Sequence, residues 1–148
     1  MLLQFRSHVL ADIGALNTLT SKIIGAGTTV HRRLGPGLLH SAYVPCLAHE
    51  IRKVELGAKV DVVLPLIYDE LHIPSAYKID LLVEGKVIIE VKCVTALAPV
   101  HRAQLLTYLK LTDLPVGLLM NFHVPILKEG IRRVLNTAGK DGSSGVRS

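Results

Sequence analysis

Three charged residues fall inside apolar runs. Asp80 lies within Ile79-Asp80-Leu81-Leu82-Val83, and Glu90 and Lys92 lie within Val87-Ile88-Ile89-Glu90-Val91-Lys92. Charges in such strand-like stretches are costly to bury unless paired, hydrogen-bonded or bound to a metal. If they converge, two carboxylates and a backbone carbonyl, that of Val91, offer hard oxygen ligands for Mg²⁺. The ion would polarise a phosphoryl oxygen and acidify a water. Lys92 would orient that water or offset charge developing on the phosphate. The plain alternative is a cross-strand acid–lysine pair on a solvated sheet face.

Side chains alternate along a strand, so Glu90 and Lys92 share a face. Whether Asp80 joins them depends on hairpin register. An odd-length loop at Glu84-Gly85-Lys86 pairs residues whose numbers sum to an even value and brings Asp80 to the Glu90 face. A two-residue loop turns it away. Gly85 suits the left-handed third position of a three-residue loop. Gln104 and Tyr108, four apart on a helix, share a face and can orient a water or phosphate. Taken alone, they also read as an exposed glutamine and a half-buried tyrosine.

The elements that must position these groups are legible in part. Residues 1–17 show no clear period and read as an N-terminal extension, with a single domain over 18–136. Thr20 or Ser21 caps the expected first helix, which Gly35-Pro36-Gly37 ends. A second helix is expected over Leu38–Val54, with Leu39, Tyr43, Leu47 and Ile51 inward and Gly57 as terminator. Lys59–Tyr68 reads as a strand with an edge or bend at Pro65, and Asp69–Tyr77 as a loop. Lys78–Val83 and Val87–Lys92 form a hairpin. Pro99–Leu111 is helical, Val116–Asn121 a buried strand, and Ile131–Leu135 a short element of unassigned type. The Gly- and Ser-rich tail, 137–148, reads as disordered. The order predicts a mixed α/β layer architecture.

Composition narrows the classes. The 148 residues suit one domain, 49% are hydrophobic and 4% aromatic, and the formal charge is +5. Aliphatic residues must build the core, and no aromatic row advertises base stacking. The basic balance fits a polyanion partner. The apolar fraction fits either a homodimer surface or a two-sided sheet core. Cys46 and Cys93 read as buried reduced thiols rather than a disulfide. No secretory segment or run of about 20 apolar residues is seen, so a soluble cytoplasmic protein without a membrane span is expected. His31, Arg32 and Arg33 at a helix end can touch nucleic-acid phosphate, or simply complement the helix dipole. A zinc site from His31, His40, His49, Cys46 and Cys93 lacks paired ligand spacing.

In Lys22–Ala26, Val30–Leu39 with Tyr43, Tyr77–Val83, Ile89–Lys92, Gln104–Leu109 and Gly117–Phe122, the chain resembles the bacterial GxxExxY proteins, a branch of the PD-(D/E)XK nuclease superfamily. The resemblance covers Leu19 to Leu135. It implies a central mixed sheet flanked by helices and a Mg²⁺- or Mn²⁺-dependent nuclease acting on DNA, with RNA as the alternative. It would make Asp80 and Glu90 metal ligands, Lys92 the catalytic lysine, and Gln104 and Tyr108 active-site helpers. One departure stands out: the glutamate of the family's name motif is His40 here. Glutamates common in the family are also replaced at Thr18, Ser21 and Thr29. An imidazole can bind a metal or phosphate but does not bring a carboxylate's charge. The resemblance therefore also admits an impaired nuclease fold that binds nucleic acid or protein without turnover.

Overall fold

A computed structural model describes residues 2–137, with side chains from residue 13. Helix α1 runs from Leu2 to Leu34. Its core-facing stretch follows from Leu19, Ile23, Ala26 and Val30, spaced three or four apart and buried. The expected cap at Thr20 or Ser21 is therefore corrected. Thr20 is buried in mid-helix, and its hydroxyl donates back to the Asn17 carbonyl at 3.1 Å. The helix ends where expected, with Gly35 at φ +68°.

Helix α2 spans His40–Lys53 and buries Tyr43, Val44, Leu47, Ala48 and Ile51. Leu39, expected inward, is instead the extended residue before the first turn and is 75% exposed. The terminator is Glu55 rather than Gly57. Glu55 takes φ +63°, while its N–H and that of Leu56 donate to the Arg52 and Ile51 carbonyls. The Tyr43 hydroxyl fastens the α1–α2 turn, donating to the Gly35 carbonyl at 2.6 Å and accepting the Leu38 N–H at 3.1 Å. Its ring stacks on Phe122 at 4.5 Å.

Five strands form one sheet in sequential order: β1 (Ala58–Tyr68), β2 (Leu71–Val83), β3 (Val87–Lys92), β4 (Val116–Asn121) and β5 (Ile131–Leu135). All neighbours are antiparallel except β3 and β4. That parallel pair is joined by helix α3 (Pro99–Thr112), because parallel strands need a crossover. The final element of unassigned type is thus an edge strand.

The expected loop at Asp69–Tyr77 is instead strand. Only Asp69 and Glu70 separate β1 from β2. The signal was missed because this exposed ribbon has no buried face to impose alternation. Pro65 does mark an irregularity. The register moves from Leu64↔Tyr77 to Leu66↔Ile73, so Pro65 alone faces Pro74, Ser75 and Ala76.

The core has two layers. One lies between the sheet and helices α1 and α2, with Ile23, Leu47, Leu81, Ile89 and Phe122. The other lies under α3, with Ile79, Ile88, Leu105, Leu109 and Leu119. Strands β3 and β4 are buried on both faces, which accounts for much of the apolar composition. Among the described residues, no helix is long and apolar enough to cross a membrane.

Candidate active site

The β2–β3 register decides the site. Val83 lies opposite Val87 and Leu81 opposite Ile89, so the numbers sum to 170. This is the even register, with three residues in the connection. Glu84 and Gly85 both have positive φ, and the Lys86 N–H donates to the Val83 carbonyl at 2.9 Å. A primed two-residue turn thus carries Lys86 as the extra residue. Glu84 tolerates the left-handed position because Gly57 clamps it. The Glu84 N–H donates to the Gly57 carbonyl, and the Gly57 N–H to Glu84 Oε1 at 2.8 Å.

Beyond the Leu81↔Ile89 pair, the acids take over the hydrogen bonds between β2 and β3. The Asp80 N–H donates to Glu90 Oε1 at 3.1 Å, and the Val91 N–H donates to Asp80 Oδ2 at 2.9 Å. Both carboxylates are buried, Asp80 at 6% and Glu90 at 4% exposure. Burial pushes the Glu90 carboxyl up to about 7, and the neighbouring Asp80 charge adds to the rise. The Asp80 N–H and Lys92 oppose it but do not cancel it. Burial and Asp80 also raise the Cys93 thiol.

Lys92 projects from the Glu90 face, as alternation requires. Its Nζ donates to Gln104 Oε1 at 3.0 Å, and Gln104 Nε2 donates to the Tyr108 hydroxyl at 3.0 Å. The Tyr108 hydroxyl is pushed upward by burial first and by Glu90 second. The Tyr77 ring meets Tyr108 edge-on at 5.6 Å. Tyr77 was not singled out from sequence, since it sat in the segment read as a loop.

His40, on the first turn of α2, reaches the same place. Its Nε2–H donates to Asp80 Oδ2 at 2.8 Å, while about half of the side chain stays exposed. A hollow of about 310 Å³ opens beside it, lined in part by Ser41, Asp61 and Lys78. A hollow of about 490 Å³ near the Glu84 turn has no comparable pair of acids on its walls.

The remaining candidates do not join this group. His31 is buried, and its Nε2–H donates to the Val124 carbonyl at 2.8 Å. It holds the segment after β4 and does not present itself to phosphate. Arg32 and Arg33 are exposed at the end of α1, with Arg33 3.3 Å from Glu50. Cys46 and Cys93 are free and half-buried. Among the described residues, no three His, Cys, Asp or Glu side chains gather as a metal cluster, so the zinc combination is not assembled.

The chemistry of the donor set nevertheless fits a hard cation. Two buried acids stand together, one with a raised proton affinity, while the nearby ammonium is turned to Gln104. Sequence reasoning also missed Asn121. Its amide ties down the chain after Lys92, with Oδ1 accepting the Val94 N–H and Nδ2 donating to the Val94 carbonyl. A buried asparagine closing a wholly apolar strand was the available signal.

Comparison with curated proteins and with solved structures returns no match for this chain. A family model matches residues 17–134, and it describes the PD-(D/E)XK nuclease superfamily. The matched span runs from Asn17 in α1 to Val134 in β5 and includes Asp80, Glu90, Lys92, Gln104, Tyr108 and His40. With its five-stranded mixed sheet and flanking helices, the chain belongs to the PD-(D/E)XK nuclease superfamily.

Proposed function

We propose that this chain is a metal-dependent nuclease of the GxxExxY branch, hydrolysing phosphodiester bonds in DNA, with RNA as the alternative substrate. The observation that supports this most is that Asp80 on β2 is hydrogen-bonded to Glu90 and to the Val91 N–H on β3, the strand that also carries Lys92. Asp80, Glu90 and the Val91 carbonyl would hold Mg²⁺ or Mn²⁺, with His40 the further candidate beside Asp80. The bound ion would supply Lewis acidity toward phosphate and a more acidic water. Lys92 brings positive charge to the developing phosphate charge. Gln104 fixes the lysine, and Tyr108 fixes which end of the Gln104 amide faces it.

The test uses purified protein with plasmid, linear and single-stranded DNA and with RNA, in Mg²⁺ and then Mn²⁺. Cleavage lost in Glu90→Ala and Lys92→Ala is expected. Cleavage surviving both substitutions would place the activity elsewhere.

A second reading has its own observation. His40 occupies Asp80 with a donor where the family's named motif carries an acid. On this reading the domain binds nucleic acid, or a protein, without turnover. It predicts salt-dependent DNA binding, since phosphate contacts release counterions. It also predicts no Mg²⁺ or Mn²⁺ binding at millimolar concentration. Metal binding abolished by Asp80→Asn decides for the enzyme.

A further inference from the structure

Asp61 lies inside β1 yet has φ +53°. A left-handed residue in a strand is an outlier, and aspartate is among the few non-glycine residues that tolerate it. No residue is inserted there: Val60↔Leu81 and Val62↔Ile79 both sum to 141. By that register, Asp61 falls opposite Asp80.

Something else changes at this point. Ala58 and Val60 pack into the layer under α1 and α2, but Val62 and Leu64 pack into the layer under α3. These four residues have the same parity and would face one side of an undistorted strand. Strand β2 makes the same switch across Asp80, with Leu81 and Val83 in the first layer and Tyr77 and Ile79 in the second. The β1–β2 ribbon thus changes faces at Asp61 and Asp80 together, without slipping register. The Asp80 N–H is then bonded to the Glu90 carboxylate and Asp80 Oδ2 to the Val91 N–H.

We infer that Asp61 is a positioning residue. Its left-handed backbone sets the elbow that turns Asp80 toward β3 and makes possible both the Asp80 N–H bond to Glu90 and the Val91 N–H bond to Asp80. The backbone conformation is the active property, and the Asp61 carboxylate is incidental to it. Its importance for catalysis rests on the nuclease reading above, but the elbow itself does not.

Amide hydrogen exchange tests this without metal or substrate. Asp80 and Val91 should exchange slowly in the wild type and in Asp61→Gly, since glycine adopts the left-handed conformation freely. In Asp61→Val, whose branched side chain disfavours it, both should exchange at least tenfold faster while Leu118 and Met120 on β4 do not change. If Asp61→Val does not fold, Asp61→Ala is compared with Asp61→Gly, and a threefold or greater difference at the two amides is expected. Wild-type rates in the valine variant overturn the inference, as does equal acceleration in the glycine variant.

Mn²⁺ titration supplies the second arm. Affinity should fall about tenfold in Asp61→Val and be retained in Asp61→Gly, and equal affinities in both overturn a role at the metal site. A wild-type protein that binds no Mn²⁺ sinks the nuclease reading instead, and the exchange rates still decide the elbow.

Discussion

His40 Nε2 stands 2.8 Å from Asp80 Oδ2, joining the first turn of α2 to the elbow of β2. A buried carboxylate of the candidate site is thereby held by an imidazole at the position where the resemblance leads one to expect a third acid. The nuclease scaffold is present, and on the proposed reading His40 would set the terms on which it takes a cation.

His40→Glu adds a hard oxygen donor and removes the imidazole partner of Asp80, leaving the Val91 N–H. Mg²⁺ affinity measured by calorimetry should rise at least tenfold, and Asp80→Asn in the same background should abolish it. An unchanged affinity would separate residue 40 from the cation site.

Glu90 carries a folded-state value of about 7 against an ordinary 4.5. Folding therefore takes up a proton between those values, and stability falls as pH rises from 4.5 to 7 and stays low above. The shift corresponds to something on the order of 3 kcal/mol. Glu90→Gln should therefore melt several degrees higher than wild type at pH 8, with the difference vanishing at pH 4. Equal melting curves at pH 8 would mean that the charge is not buried as described.

Lys92, Gln104 and Tyr108 form a chain in which each member holds the last. Lys92→Met should lower cleavage at least 100-fold while leaving Mn²⁺ affinity within a few-fold. Tyr108→Phe removes one hydrogen bond, about 1 kcal/mol, and should lower cleavage by roughly three- to tenfold. A Tyr108→Phe enzyme as impaired as Lys92→Met would give the hydroxyl a direct chemical role.

Gly117 lets α3 sit close on β4. A β-carbon there would lie 2.7 Å from Leu105 Cδ1. Gly117→Ala should cost about 1–3 kcal/mol by overpacking, read by urea unfolding. Because α3 carries Gln104 and Tyr108, cleavage should fall as well. In a Leu105→Ala background Gly117→Ala should cost less, and an unchanged cost would assign it to the strand itself.

Much of this was readable from residue order. Strands β3 and β4 were visible because both faces are buried and the runs are largely apolar, broken in β3 only by Glu90 and Lys92. The α1–α2 turn was visible because only glycine fits φ +68° and +100° without cost, at Gly35 and Gly37. Strand β2 before Lys78 was not visible, since Leu71 and His72 are exposed and Pro74 breaks the pattern. Helix α1 reads as starting too late because residues 1–17 show no clear apolar period in the sequence, unlike Leu19 to Val30.

The sequence by itself determined the layer architecture and the Glu90–Lys92 face, because strand alternation is a local property. It also placed Gln104 and Tyr108 on one helical face for the same reason. Only the tertiary structure decided that Asp80 meets Glu90, through a three-residue connection with two left-handed positions. It alone showed His31 buried against Val124, His40 on Asp80, and the ribbon changing faces at Asp61. These depend on contacts between residues far apart in the chain and on one φ angle, neither of which residue spacing encodes.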